Sequence, residues 1–121
     1  MKVRCIIKRT DERVGHVTNI SISDKNLRTQ LGGEYTAYEF EPTLELPAIT
    51  ILSKLDVKAW EPINARINET MKEKPIRIKR IFRGDVIVIG PRIRDTKDDA
   101  FDELPITIED WKRLINGEAS Y

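Results

Sequence analysis

The chain has 121 residues, 40% hydrophobic and 34% charged, with 21 Lys and Arg against 20 Asp and Glu for a formal net charge of +1. That length fits one domain spanning 1–121, and the composition is too apolar for a disordered chain. No run approaches the roughly 18 apolar residues of a membrane span, and in MKVRCIIKR charges flank the short apolar run on both sides, which excludes a secretory core; a cytoplasmic protein is expected.

In chain order, Val3, Cys5 and Ile7 alternate with other residues up to Lys8. A polar stretch, Thr10-Asp11-Glu12-Arg13, separates this run from Val14 to Ile20, which predicts a β-hairpin. Ser23 is placed to cap a short helix carrying Leu27 and Leu31, and Gly32-Gly33 ends it. Tyr35 to Phe40 reads as a third strand, Pro42 and Pro47 bracket a loop, and Ala48 to Leu52 forms a fourth strand. Glu61-Pro62 opens a second helix whose Ile63, Ile67 and Met71 share one face until Pro75. Val86 to Ile89 is a buried strand between two basic arms. Asp95 to Glu103 reads as an exposed acidic connection. Thr107 caps the last helix, with Asp110 at the capping-box position and an apolar stripe of Ile108, Trp111, Leu114 and Ile115. These elements predict an α+β fold: a mainly antiparallel sheet of five or six strands with two or three short helices on one face.

The near-neutral total hides a segregation along the chain. Residues 72–94 hold eight basic residues against Glu73 and Asp85, whereas residues 95–118 hold eight acidic residues against Lys97, Lys112 and Arg113. Residues 34–50 add Glu34, Glu39, Glu41 and Glu45 with no Lys or Arg. Opposed patches of this kind, together with the edges of a small sheet, lead us to expect a homo-oligomer.

The catalytic inventory is short. Cys5 is alone and reads as a small buried hydrophobe. His16 has no second histidine and no serine elbow, which removes triad and two-histidine metal chemistry. Gly32-Gly33, Gly84 and Gly90 lack the spacing of a phosphate loop. Asp95, Asp98, Asp99 and Asp102 lack the spacing and the glycine of a calcium loop. No catalytic residue, metal or cofactor is expected, and the protein is read as not an enzyme.

Three separated pieces carry a resemblance. They are KVRCIIKRTDE with GHVTNIS, the Asn26-Leu27 to Leu31-Gly32-Gly33 segment, and GDVIVIG followed by LPITIEDWKRLI. Together they resemble a family of small uncharacterised proteins of phages and mobile elements in Gram-positive bacteria, described as a domain of unknown function. Over residues 53–75 the chain departs from the family pattern, and only Pro62 and Asn64 echo it. The resemblance implies a cytoplasmic accessory protein of a phage or prophage and transfers no catalytic residue.

Two functions of different character follow. In the first, the protein is a sponge for a phosphorylated, nucleotide-like defence signal: Arg28, Arg77, Arg83, Arg92 and Arg113 pair with phosphates while Phe82 stacks on a base. In the second, the acidic residues Asp98, Asp99, Asp102, Glu103, Glu109 and Asp110 imitate nucleic-acid charge and occupy the basic site of a host defence protein. Nucleic-acid binding along the basic strand is a further alternative, weakened by the near-neutral charge. Each candidate also has a plainer reading, with Phe82 in the core, Arg28 and Arg113 facing solvent, and Trp60 and Trp111 anchoring helices to the sheet.

Overall fold

The computed structural model describes residues 2–55, 84–93, 100–116, 118–119 and 121. Strands β1 (Lys2–Lys8), β2 (His16–Ser21), β3 (Tyr35–Phe40), β4 (Ile49–Lys54) and β5 (Val86–Ile89) form one sheet in the order β2-β1-β5-β4-β3, every neighbouring pair antiparallel. Strands β6 (Arg92–Ile93) and β7 (Ala100–Phe101) form a second, two-stranded ladder. Helices α1 (Asp24–Leu31) and α2 (Ile108–Ile115) complete the described residues. This is the expected α+β fold around an antiparallel sheet. The expected helix from Glu61 to Met71 lies outside the described residues.

The helices do not share a face as expected. The period-2 alternation of each strand sorts its side chains into two layers. Val3, Cys5, Ile7, Leu52, Ile87 and Ile89 pack with Leu27 and Leu31 of α1. Ile6, Ile49, Ile51, Val86 and Val88 pack with Trp111, Leu114 and Ile115 of α2. The central strands are therefore covered on both sides, and all four residues of β5 are wholly buried. Burial of each such side chain contributes about 1.5–3 kcal/mol, and a strand without polar alternation gains it on both faces.

Local chemistry fixes the ends of the elements. Ser23 Oγ accepts from Asn26 N at 3.2 Å to start α1, and Gly32 N closes the helix on Arg28 O at 2.8 Å. Thr107 Oγ1 accepts from Asp110 N at 3.1 Å while the Asp110 carboxylate accepts from Thr107 N, the expected capping box. Helix α1 touches both edge strands, β2 and β3, and so carries the chain across one whole face of the sheet.

The exposed connection expected from Asp95 to Glu103 is corrected at its end. Ala100–Phe101 is a strand paired with Arg92–Ile93, and Phe101 is buried in the α1 layer. Three residues later Leu104 joins the α2 layer, so this segment passes from one face of the sheet to the other. Leu104 N donates to Arg4 O at 2.9 Å, and the Arg4 guanidinium donates to Leu104 O. Gly90 makes the passage possible: its N–H meets Asp102 O at 3.0 Å, and a Cβ there would collide with the Asp102 and Glu103 carbonyl oxygens. An acidic composition concealed one aromatic anchor.

Candidate ligand-binding site

Arg28 is the expected site residue around which the structure builds a recess. Asp24 and Arg28 stand four apart on α1, one turn above the other, and their side chains pair at 2.9 Å. The turn after α1 brings Glu34 to 3.9 Å from the same guanidinium. Tyr35, the first residue of β3, donates its hydroxyl to Asp24 Oδ1 at 3.0 Å. Leu55 N holds the Glu34 carbonyl at 2.7 Å, which ties this turn to the end of β4. Asp24, Arg28, Glu34 and Tyr35 line an open recess of about 210 Å³. Lys54, the cross-strand partner of Tyr35, runs its side chain past Gly33 nearby.

Size and charge limit what this recess can hold. Pockets that enclose whole small molecules span about 300–1,000 Å³, so this one is too small to enclose such a molecule whole. A guanidinium offers paired donors to a phosphate, whereas the two carboxylates accept from hydroxyl or amine groups. The Glu34 contact is the longer of the two on Arg28.

Of the other expected site residues, Arg92 and Arg113 lie among the described residues. Arg92 stacks its guanidinium 5.5 Å from the centroid of the Phe101 ring, and Phe101 belongs to the same core layer as α1. Arg113 lies on the outer surface of α2, 4.0 Å from Asp110. Because α1 and α2 cover opposite faces of the sheet, Arg28 and Arg113 do not come together within one chain. Arg77, Phe82 and Arg83 lie outside the described residues, as do Asp98 and Asp99. Among the acidic residues, Asp102 and Glu103 are exposed, Glu109 stands 3.8 Å from Lys112, and Asp110 serves the cap of α2.

A second polar cluster lies at the mouth of the β1–β2 hairpin, and sequence reading missed it. Lys8 is buried, yet its Nζ donates to Glu12 O at 2.6 Å and to Arg9 O at 3.2 Å. Burial pushes its pKa down, partly offset by Glu12, Asp85 and Asp11. Asp85, just before β5, accepts from Arg9 Nη1 at 2.8 Å and Thr10 N at 3.0 Å. Glu12 pairs with His16 at 3.0 Å, and this hydrogen bond holds its carboxyl below the usual range. Gly15, at φ +93°, closes the loop where a Cβ would lie 2.8 Å from Ile7 O. The cluster pins a loop.

Other reactive groups are quiet. Burial pushes the Cys5 thiol up to about 11, far from the thiolate needed for nucleophilic or redox chemistry. Burial also raises the Tyr121 phenol, whose hydroxyl donates to Pro47 O at 2.5 Å. Among the described residues no group of three or more His, Cys, Asp and Glu side chains is arranged to hold a metal ion, and no helix is long and apolar enough to cross a membrane.

The roles of Asp24, Glu34 and Tyr35 were not foreseen. The Asp24–Arg28 spacing was visible in the sequence, but it also describes an ordinary solvent-facing helix pair. In comparison with known proteins, the chain matches no protein-family model, no curated protein and no solved structure.

Proposed function

We propose that this protein is a non-catalytic binder that sequesters a phosphorylated, nucleotide-like small molecule, acting in the host cytoplasm as a phage or prophage accessory protein. The observation that carries the reading is the Asp24–Arg28–Glu34–Tyr35 recess. It places a half-exposed guanidinium beside a phenol and two carboxylates in an open concavity. Such a set takes a sugar phosphate when the phosphate displaces Glu34, the more distant carboxylate, from Arg28 and the freed carboxylate accepts from ribose hydroxyls. The recess takes the head of the ligand, and the base lies beyond it. The test is mass spectrometry of small molecules released by heat from protein incubated with lysate of phage-infected bacteria. A stoichiometric nucleotide-like species, released unchanged and absent from Arg28→Ala, supports the reading. A chemically altered species would instead indicate turnover.

A second reading, inhibition of a host protein through an acidic surface, is favoured by the β3–β4 turn. Thr43 Oγ1 accepts from Glu45 N at 3.3 Å and Leu46 N at 3.1 Å, Thr43 N donates to Leu46 O at 2.8 Å, and Leu46 is buried. This ordered turn holds Leu44 fully in solvent between the exposed Glu41 and Glu45. An apolar tip flanked by carboxylates fits a basic site with an apolar centre. Capture of a basic host protein by the wild type but not by Leu44→Asp would favour this reading over the first.

A further inference from the structure

In an antiparallel pair the peptide groups of successive residues turn alternately to the two sides of a strand. Arg4 O accepts from Leu104 N on the side of β1 where the pairing with β5 has ended. The peptide groups of Val3, Cys5 and Ile7 therefore face β2. Their partners there, Ile20, Thr18 and His16, face inward, and Val17, Asn19 and Ser21 turn outward. Ser21 O fits this phase, since it accepts from Asn26 Nδ2 at 2.6 Å away from the ladder. Among the described residues, the outward peptide groups of Val17 and Asn19 have no hydrogen-bond partner.

Sheet edges in monomers carry devices that block further pairing, such as Lys, Pro, a bulge or a charge. Strand β2, His16-Val17-Thr18-Asn19-Ile20-Ser21, contains no Lys, Arg, Asp, Glu or Pro and keeps unbroken register with β1 along its whole length. Val17 is 40% exposed on this strand. The opposite edge differs, because β3 carries Glu39 and is flanked by Glu34 and Glu41. Two copies meeting at β3 would bring like charges together; two copies meeting at β2 would not.

We propose that two copies of this chain pair through β2, antiparallel about a two-fold axis between their Thr18 residues, and so join their sheets into one. In this register Val17 of each copy exchanges both peptide hydrogen bonds with Asn19 of the other. Thr18 meets its own counterpart at the non-hydrogen-bonded position, where Thr–Thr is a favourable cross-strand pair. The two-fold keeps each face continuous, so the layer under α1 in one copy runs on into the same layer of the other. This pairing is independent of the recess at Arg28.

Sedimentation velocity on the full chain, from micromolar to millimolar concentration, tests the pairing. Asn19→Pro removes an outward N–H and no bond to β1, a position where an edge strand tolerates proline, and Val17→Lys adds a blocking charge. The expected result is a wild-type dimer at high concentration that dissociates on dilution, with both variants monomeric at every concentration and their far-UV circular dichroism unchanged. A monomeric wild type, or a dimer that persists in either folded variant, overturns the proposal. Should Asn19→Pro fail to fold, Val17→Lys decides alone. Amide exchange adds a residue-level readout: Val17 and Asn19 gain protection with concentration, whereas Thr18 is protected throughout, and protection of Val17 and Asn19 that ignores concentration would also overturn it.

Discussion

The indole Nε1 of Trp111 donates to the backbone carbonyl of Val14 at 2.7 Å, tying the C-terminal helix to the loop between the first two strands. The ring itself is wholly buried among the β1, β4 and β5 side chains of the α2 layer. Trp111→Ala should lower stability by about 3–5 kcal/mol in chemical denaturation. Trp111→Phe keeps most of the packing and removes the donor, so a loss of about 1 kcal/mol is expected from the hydrogen bond. Equal losses in the two variants would show that the hydrogen bond carries the effect.

Gly90 is fixed by its neighbours. A methyl group there would drive into the carbonyls of Asp102 and Glu103, which are backbone and cannot swing aside. Gly90→Ala should cost roughly 3 kcal/mol or more and should loosen the passage of the 100–104 segment between the two core layers. Loss of amide protection at Leu104, ahead of the central strands, would report that loosening. A melting curve equal to the wild type would contradict the geometry.

Thr50 presents the opposite case. It is wholly buried in β4, and among the described residues its hydroxyl has no hydrogen-bond partner. Replacement by a side chain of similar shape without the hydroxyl removes a desolvated polar group. Thr50→Val should therefore raise stability by about 1 kcal/mol, read as an upward shift of the denaturation midpoint at constant slope. A destabilised variant would indicate that the hydroxyl is satisfied.

The Glu12–His16 pair gives the fold a pH dependence of known sign. The hydrogen bond from His16 lowers the folded-state pKa of Glu12 from its ordinary 4.5. The unfolded chain then binds the proton more readily than the folded one, and stability from this group is full above the ordinary value. It disappears as pH falls through the lowered folded value. Glu12→Gln should flatten this part of the acid limb when midpoints are measured from neutral pH downward. A limb unchanged in slope would remove Glu12 from the account.

Arg28 can be tested apart from stability. Its side chain is half exposed and none of its contacts reaches the core, so Arg28→Ala should shift the melting temperature little, as expected for an exposed ion pair. In titrations with a nucleoside monophosphate as probe, weakening of at least tenfold is expected. The parallel variant Arg113→Ala, on the opposite face, should bind like the wild type. Equal weakening in both would require a ligand that reaches across two copies.

Much of the fold was legible because its signals are local. Ser23 and Thr107 sit where caps belong, and strand alternation gave β1 and β3. The assignment of helices to faces was not legible in the same way. Val86-Ile87-Val88-Ile89 lacks polar alternation, which already signals cover on both sides, but no local feature says which helix covers which. Phe101 was missed because its anchor role depends on β6 folding back on it, within a sequence dominated by Asp and Glu. The candidate site was legible only in Arg28. The turn after α1 brings Glu34 to Arg28 and Tyr35 to Asp24, a tertiary coincidence that no spacing rule encodes. Lys8 escaped notice because lysine at a strand end reads as exposed; here the chain ahead of it turns its carbonyls back onto the ammonium.

The strand order has a consequence for the birth of the molecule on the ribosome. The hairpins β1–β2 and β3–β4 are both translated before β5, yet they do not pair with each other; β5 lies between them. Until Val86–Ile89 has emerged, each hairpin carries an unpaired inner edge and apolar side chains that lack their β5 neighbours. At synthesis rates of roughly 5–20 residues per second, the span from Lys54 to Ile89 leaves them waiting for seconds, long compared with the microseconds in which hairpins form. The nascent chain is therefore most exposed to chaperones, and to its own neighbours on a polysome, in the interval that ends when its central strand arrives.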